Sequence, residues 1–93
     1  MKILWIDDVR RPPQGGNITW AANFDTAVSL LRQNYYDLID FDHDLGVGLS
    51  GYDIAKWLVE NEYPPTTFHV HSMNPVGRAN IIQLLTHYGY TLE

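Results

Sequence analysis

Three short stretches of this chain concentrate the side chains that could do chemistry. Asp7 and Asp8 follow the apolar run KILWI, Lys2 to Ile6. Asp42, His43 and Asp44 follow DLIDF, Asp37 to Phe41. His71, Ser72 and Asn74 close and follow TFHVH, Thr67 to His71. Carboxylates are hard oxygen donors, and several meeting at one edge suit Mg2+ or Mn2+. Held together without a cation they repel one another. Asp7, Asp8, Asp42 and Asp44 are therefore the expected metal ligands, the competing reading being that they cap loops and helix starts by accepting backbone amides. Histidine is the side chain whose unperturbed pKa lies near neutrality, so His43 and His71 suit proton transfer; a neutral imidazole could equally be a metal ligand. Arg10, Ser72 and Asn74 could bind phosphate oxygens, helped by the amides of a helix starting near Val76. Arg10 reads equally as a partner of a rim carboxylate, and Asn74 as a simple N-cap. Asp40 and His69 lie one residue pair deeper in their strands and read as structural.

The elements that must position these groups are legible from pattern. The apolar runs at 2–6, 37–41 and 67–71 read as buried parallel strands, with Ile18–Trp20 and Tyr90–Leu92 as short additional ones. Arg10 to Asn17, RRPPQGGN, is a loop by its Pro and Gly content. Asn23 is the expected N-cap of a helix from Phe24 to about Gln33, and Ser50 caps a second from Gly51 to about Asn61, with Asp53 as its capping-box partner. Asn74 followed by Pro75 starts a third, which Gly89 ends. Strands alternating with helices predict a parallel α/β sheet with right-handed crossovers. In such sheets ligands bind outside the carboxyl ends of the strands, which brings all three polar stretches to one rim.

Length and charge bound the rest. The 93 residues suit one domain spanning 1–93. A net charge of −5 argues against an extended nucleic-acid surface, though not against one nucleotide or one RNA end entering a small site. No apolar run is long enough to span a membrane, cysteine is absent, and no signal-peptide pattern opens the chain, so a cytoplasmic location is expected.

An acidic pair after the first strand, an Asp after the third and a hydroxyl after the fourth resemble a receiver domain. That resemblance implies a flavodoxin-like three-layer sandwich on a single parallel sheet. It also implies Mg2+ held by Asp7, Asp8 and Asp42, with Asp42 as phosphoacceptor and Ser72 touching the phosphoryl group. Two departures stand out: the first receiver helix is replaced by the loop at 10–17, and neither Lys2 nor Lys56 falls where receivers carry a lysine after the last strand. The motifs IDDVRRPP, DFDHDLG, SGYDIAKWL and HSMNPVGRANI, in that order, are similar to a narrower group, the cyclic-phosphate processing receiver domain. The implied function is a metal-assisted phosphodiesterase acting on cyclic phosphate, 2′,3′-cyclic above all, at an RNA end or on a nucleotide, in RNA repair. Its catalytic residues would be His43, His71 and Asp42, and its substrate-binding residues Arg10, Ser72 and Asn74. The alternatives are a receiver-type phosphoacceptor and a catalytically silent interaction domain.

Overall fold

In the computed structural model, which describes residues 1–46 and 48–93, five strands and three helices are assigned among the described residues. Val47 lies outside them. The strands are β1 (Ile3–Ile6), β2 (Ile18–Ala21), β3 (Leu38–Phe41), β4 (Thr67–Val70) and β5 (Thr91–Leu92); the helices are α1 (Phe24–Gln33), α2 (Gly51–Glu60) and α3 (Pro75–His87). The sheet is parallel throughout, in the order β2-β1-β3-β4-β5.

Each helix begins where its cap residue dictates. Asn23 accepts the amide of Thr26, and Asn74 accepts that of Gly77 with Pro75 following at the first helical position. Ser50 and Asp53 form a reciprocal capping box, and the amide and hydroxyl of Ser50 donating to Asp53 hold that carboxyl below its usual range. At Gly51 a side chain is excluded by contact: a Cβ there would overlap the Asp42 carbonyl oxygen and lie 3.1 Å from His43 Cα. The amide of Gly51 donates to the His43 carbonyl at 2.8 Å, so α2 starts directly against the chain leaving β3.

Side-chain alternation divides the sheet into two unlike faces. Leu4, Ile6, Ala21, Ile39, Phe41, Phe68 and Val70 are buried with Ala27, Leu31, Ile54, Leu58, Ile81 and Leu85 of the helices in one core. The crossovers β2-α1-β3, β3-α2-β4 and β4-α3-β5 all step the same way across the sheet, so right-handedness lays all three helices on that face. The β1–β2 connection steps the opposite way, which carries it over the other face. There Trp20, Trp5, Asp40 and His69 stand side by side in register. The receiver-like layering is thus present with a loop in place of a helix on this second face. Both indoles tether that loop, Trp5 donating to the Arg10 carbonyl at 2.8 Å and Trp20 to the Asp7 carbonyl at 2.7 Å.

Candidate active site

The carboxyl ends of β1, β3 and β4 converge on a partly buried acid–imidazole cluster. Asp7, 2% exposed, follows β1 directly. Its Oδ1 accepts the amides of Val9 at 2.9 Å and Arg10 at 2.7 Å, folding the chain into a tight turn. Its Oδ2 meets His71 Nε2 at 2.9 Å, and the other imidazole nitrogen, Nδ1, meets Asp40 Oδ1 at 2.6 Å. The ring of Trp5 stacks on His71 with centroids 4.1 Å apart and an interplanar angle of 4°. His71 is thereby fixed on three sides.

The electrostatics follow from this geometry. Burial alone would drive protons off His71, but the carboxylates of Asp40 and Asp7 outweigh it and raise its pKa. Burial likewise works against the charge on Asp7, but the Arg10 and Val9 amides and the His71 ring hold its pKa below the usual range. Asp42 moves the other way: burial, then the nearby charge of Asp7, push its carboxyl up. Oxygen and nitrogen atoms of Asp7, Asp42 and His71 all lie within 4.8 Å of one another, a spacing that could hold one metal ion.

A second group gathers beside the first. His43 Nδ1 lies 3.0 Å from Asp44 Oδ1, and the Asn74 side-chain amide reaches both, Nδ2 standing 3.4 Å from Asp44 and 3.5 Å from the ring. The bond to His43, then that from Asn74, lower the Asp44 pKa. The ring packs on Gly77 of α3, where a Cβ would lie 2.5 Å from Cδ2 and 2.6 Å from Nδ1. Glycine is what lets the imidazole lie on the helix.

The sequence-predicted residues therefore separate. Asp7, Asp42 and His71 come together; His43, Asp44 and Asn74 form the neighbouring group. Asp8 stands against Gly46 in the β3–α2 loop, outside the three-residue cluster found among the described residues. Ser72 Oγ accepts the Asn74 amide at 3.1 Å, and Arg10 is exposed, its backbone engaged at both amide and carbonyl. Sequence reasoning assigned Asp40 a structural place and gave Trp5 none. Asp40 lies one step behind His71 on the adjacent strand and orients it, and register between β3 and β4 was the only signal for that pairing.

Comparison with known proteins decides the family. Residues 2–87 match the family model described as the cyclic-phosphate processing receiver domain. The chain belongs to that family. Among curated proteins none matches this receiver domain. Among solved structures it is similar to the response regulator TrrA from Thermotoga maritima, solved in complex with Mg2+-BeF (TM-score 0.70, 21% identity, 99% of this chain and 84% of that one). It is also similar to the N-terminal domain of a response regulator/sensory box/GGDEF protein from Carboxydothermus hydrogenoformans (TM-score 0.62, 22% identity, 99% and 81%). A fusion carrying the yeast Spc42 trimeric coiled coil contains a similar fold (TM-score 0.67, 25% identity, 98% and 67%). No described helix of the receiver domain is long and apolar enough to cross a membrane.

Proposed function

We propose that this receiver domain is a metal-assisted phosphodiesterase that opens a 2′,3′-cyclic phosphate on an RNA end or a nucleotide, a reaction that serves RNA repair. One observation carries the reading: Asp7, Asp42 and His71 present ligand atoms within 4.8 Å of one another, with Asp40 holding the imidazole from behind. The donor set fits a hard divalent cation, because Asp42 is a partly buried carboxylate strained by its neighbour Asp7. Asp7 and Asp42 would hold Mg2+ or Mn2+, with Asp8 and Asp44 on the flanking loops. When bound, such an ion polarises the phosphate and neutralises charge gathering on it.

Ring opening adds one water across an ester P–O bond. The water oxygen bonds to phosphorus and loses a proton, the ring P–O bond breaks, and the departing oxygen gains a proton. His71, whose pKa is raised by the two carboxylates that hold its ring, suits the donor role. His43, its Nδ1 engaged by Asp44, has Nε2 left to accept the proton from water. The Ser72 hydroxyl bonds the Asp42 carboxyl and its oxygen accepts the Asn74 backbone amide, so it would reach a phosphate oxygen by exchanging the Asp42 bond, and the Asn74 side-chain amide and Arg10 guanidinium supply further donors.

The phosphoacceptor alternative needs a lysine at this rim, and both lysines are engaged elsewhere: Lys2 with Asn34 at the amino end of β1, Lys56 with Asp53 on α2. The test is incubation with Mg2+ or Mn2+ and an oligonucleotide ending in a 2′,3′-cyclic phosphate. Conversion to the monophosphate, lost in Asp42→Asn and His71→Gln, is expected. No opening with any metal tried overturns the proposal, and no metal binding at millimolar concentration would leave a silent interaction domain.

A further inference from the structure

A groove with no part in the proposed chemistry lies on the helix-free face of the sheet, next to the acidic cluster. It holds about 350 Å3 and is walled by the turn from Arg11 to Gly15, by Ile18 and by Trp20. Small-ligand sites span ~300–1,000 Å3, so this one has room for a single ring system and not for a strand. Trp20 is 39% exposed, unusual for the largest side chain in a chain with a buried core. Its indole N–H is already used, donating to the Asp7 carbonyl at 2.7 Å. That bond fixes the ring and leaves it available to a ligand through its π face. It also ties the groove to the residue whose carboxylate carries the site, with one peptide unit serving both.

Two further features point to the occupant. Trp20, Trp5 and His71 form an aromatic row across β2, β1 and the end of β4, the first two paired in register and the last two stacked. The loop over the groove carries Arg10 and Arg11, two of the six cationic residues in a chain of net charge −5, together with the Gln14 amide. A flat aromatic surface with hydrogen-bonding and cationic groups on the loop that borders it is what a nucleotide needs.

We propose that this groove is a base-binding subsite, with Trp20 as the stacking platform, so that the preferred ligand is a nucleoside cyclic phosphate or RNA end and not a base-free cyclic phosphate. The inference rests on the phosphodiesterase reading only for the placement of the phosphate. Base stacking persists whether or not the ring is opened.

The experiment measures binding apart from turnover. The purified domain is titrated with a nucleoside 2′,3′-cyclic monophosphate and, separately, with glycerol 1,2-cyclic phosphate, following the three indole N–H signals by NMR and the affinity by calorimetry. The Trp20 signal, assigned by its loss in Trp20→Phe, shifts with the nucleotide and stays in place with the glycerol compound. Trp20→Ala weakens nucleotide binding roughly 5- to 150-fold, the range for removing one stacked aromatic, while Trp20→Phe stays within about threefold of wild type. Unaltered affinity in Trp20→Ala, an unmoved Trp20 signal, or no nucleotide binding at all overturns the subsite. So does a loss in Trp20→Phe as large as in Trp20→Ala, which would assign the indole to holding the Asp7 turn. Opening of the base-free compound by wild type reports separately on the proposed phosphodiesterase, so each idea fails on its own readout.

Discussion

Replacing Gly77 with alanine should destabilise this protein, against the usual effect of that change in a helix. Gly77 is buried in the first turn of α3 and has no positive φ to forbid a side chain. Helix propensity alone would make alanine better by up to about 1 kcal/mol. The His43 ring reverses the sign. An added Cβ would lie 2.5 Å from its Cδ2 and 2.6 Å from its Nδ1, where ordinary contact begins near 3.4 Å. The ring must retreat by about 1 Å, a small-to-large change that typically costs ~1–3 kcal/mol. Retreat also breaks the contacts of Nδ1 with Asp44 and Asn74, each worth about 1 kcal/mol or less in a partly exposed setting. The net expectation is a loss of ~1–2 kcal/mol, seen as a Tm lower by roughly 4–15 °C for a domain of this size. Urea denaturation of wild type, Gly77→Ala, His43→Ala and the double variant measures it. In the His43→Ala background the added methyl meets no ring, so Gly77→Ala should become neutral or stabilising, giving a coupling of about 2 kcal/mol. A Gly77→Ala single variant as stable as wild type, or additive effects in the double variant, would refute the contact as the cause.

Three further outcomes follow from the charges. Asp40→Asn should lower the His71 pKa, read by NMR of the imidazole. Because that pKa is raised on folding, its stabilisation is complete below about pH 6.5 and fades as pH rises through the folded value, and the variant, which keeps Asp7, should show a shallower slope. Asp42 is also raised, but as a carboxyl. Its folded-state penalty grows as pH rises above about 3.8, so at neutral pH Asp42→Asn should raise the metal-free Tm and abolish any Tm increase given by Mn2+. Tyr90, buried with its hydroxyl donating to the Tyr63 carbonyl at 2.6 Å, is pushed up to about 12 by burial first and then by nearby tyrosines. Tyr90 should therefore make stability fall by about 1.4 kcal/mol per unit from pH 10 toward pH 12, checked by urea midpoints across that range; the fall should be shallower in Tyr90→Phe, where Tyr63, itself raised by burial, keeps a share.

Much of the scaffold was readable because its signals are local. The caps at Asn23, Ser50 and Asn74 and the apolar runs each fix an element through neighbours in the chain. The site was readable only as a set of candidates. Asp7 and Asp8 look alike in sequence, but successive side chains leave a strand end in opposite directions, so one enters the cluster and the other meets Gly46. The orienting role of Asp40 and the stacking of Trp5 depend on which strands are neighbours and at what stagger, which periodicity within one segment does not encode. The packing of His43 on Gly77 joins a loop to a helix 34 positions away and left no local mark.

The bond between Asp7 and His71 spans 64 residues. Its two ends belong to strands that never pair directly, because β3 lies between them. The earliest-made strand is also an interior one, so it must wait for β3 and then β4 before its terminal carboxylate finds the imidazole. Non-local closure of this kind slows assembly. It also makes the chemical centre all-or-none: a chain halted before β4, or one that has let β4 go, keeps its aspartates but has no centre. Loss of the Asp7–His71 contact is therefore a signature of global unfolding, and local fraying at the outer strands should leave it intact.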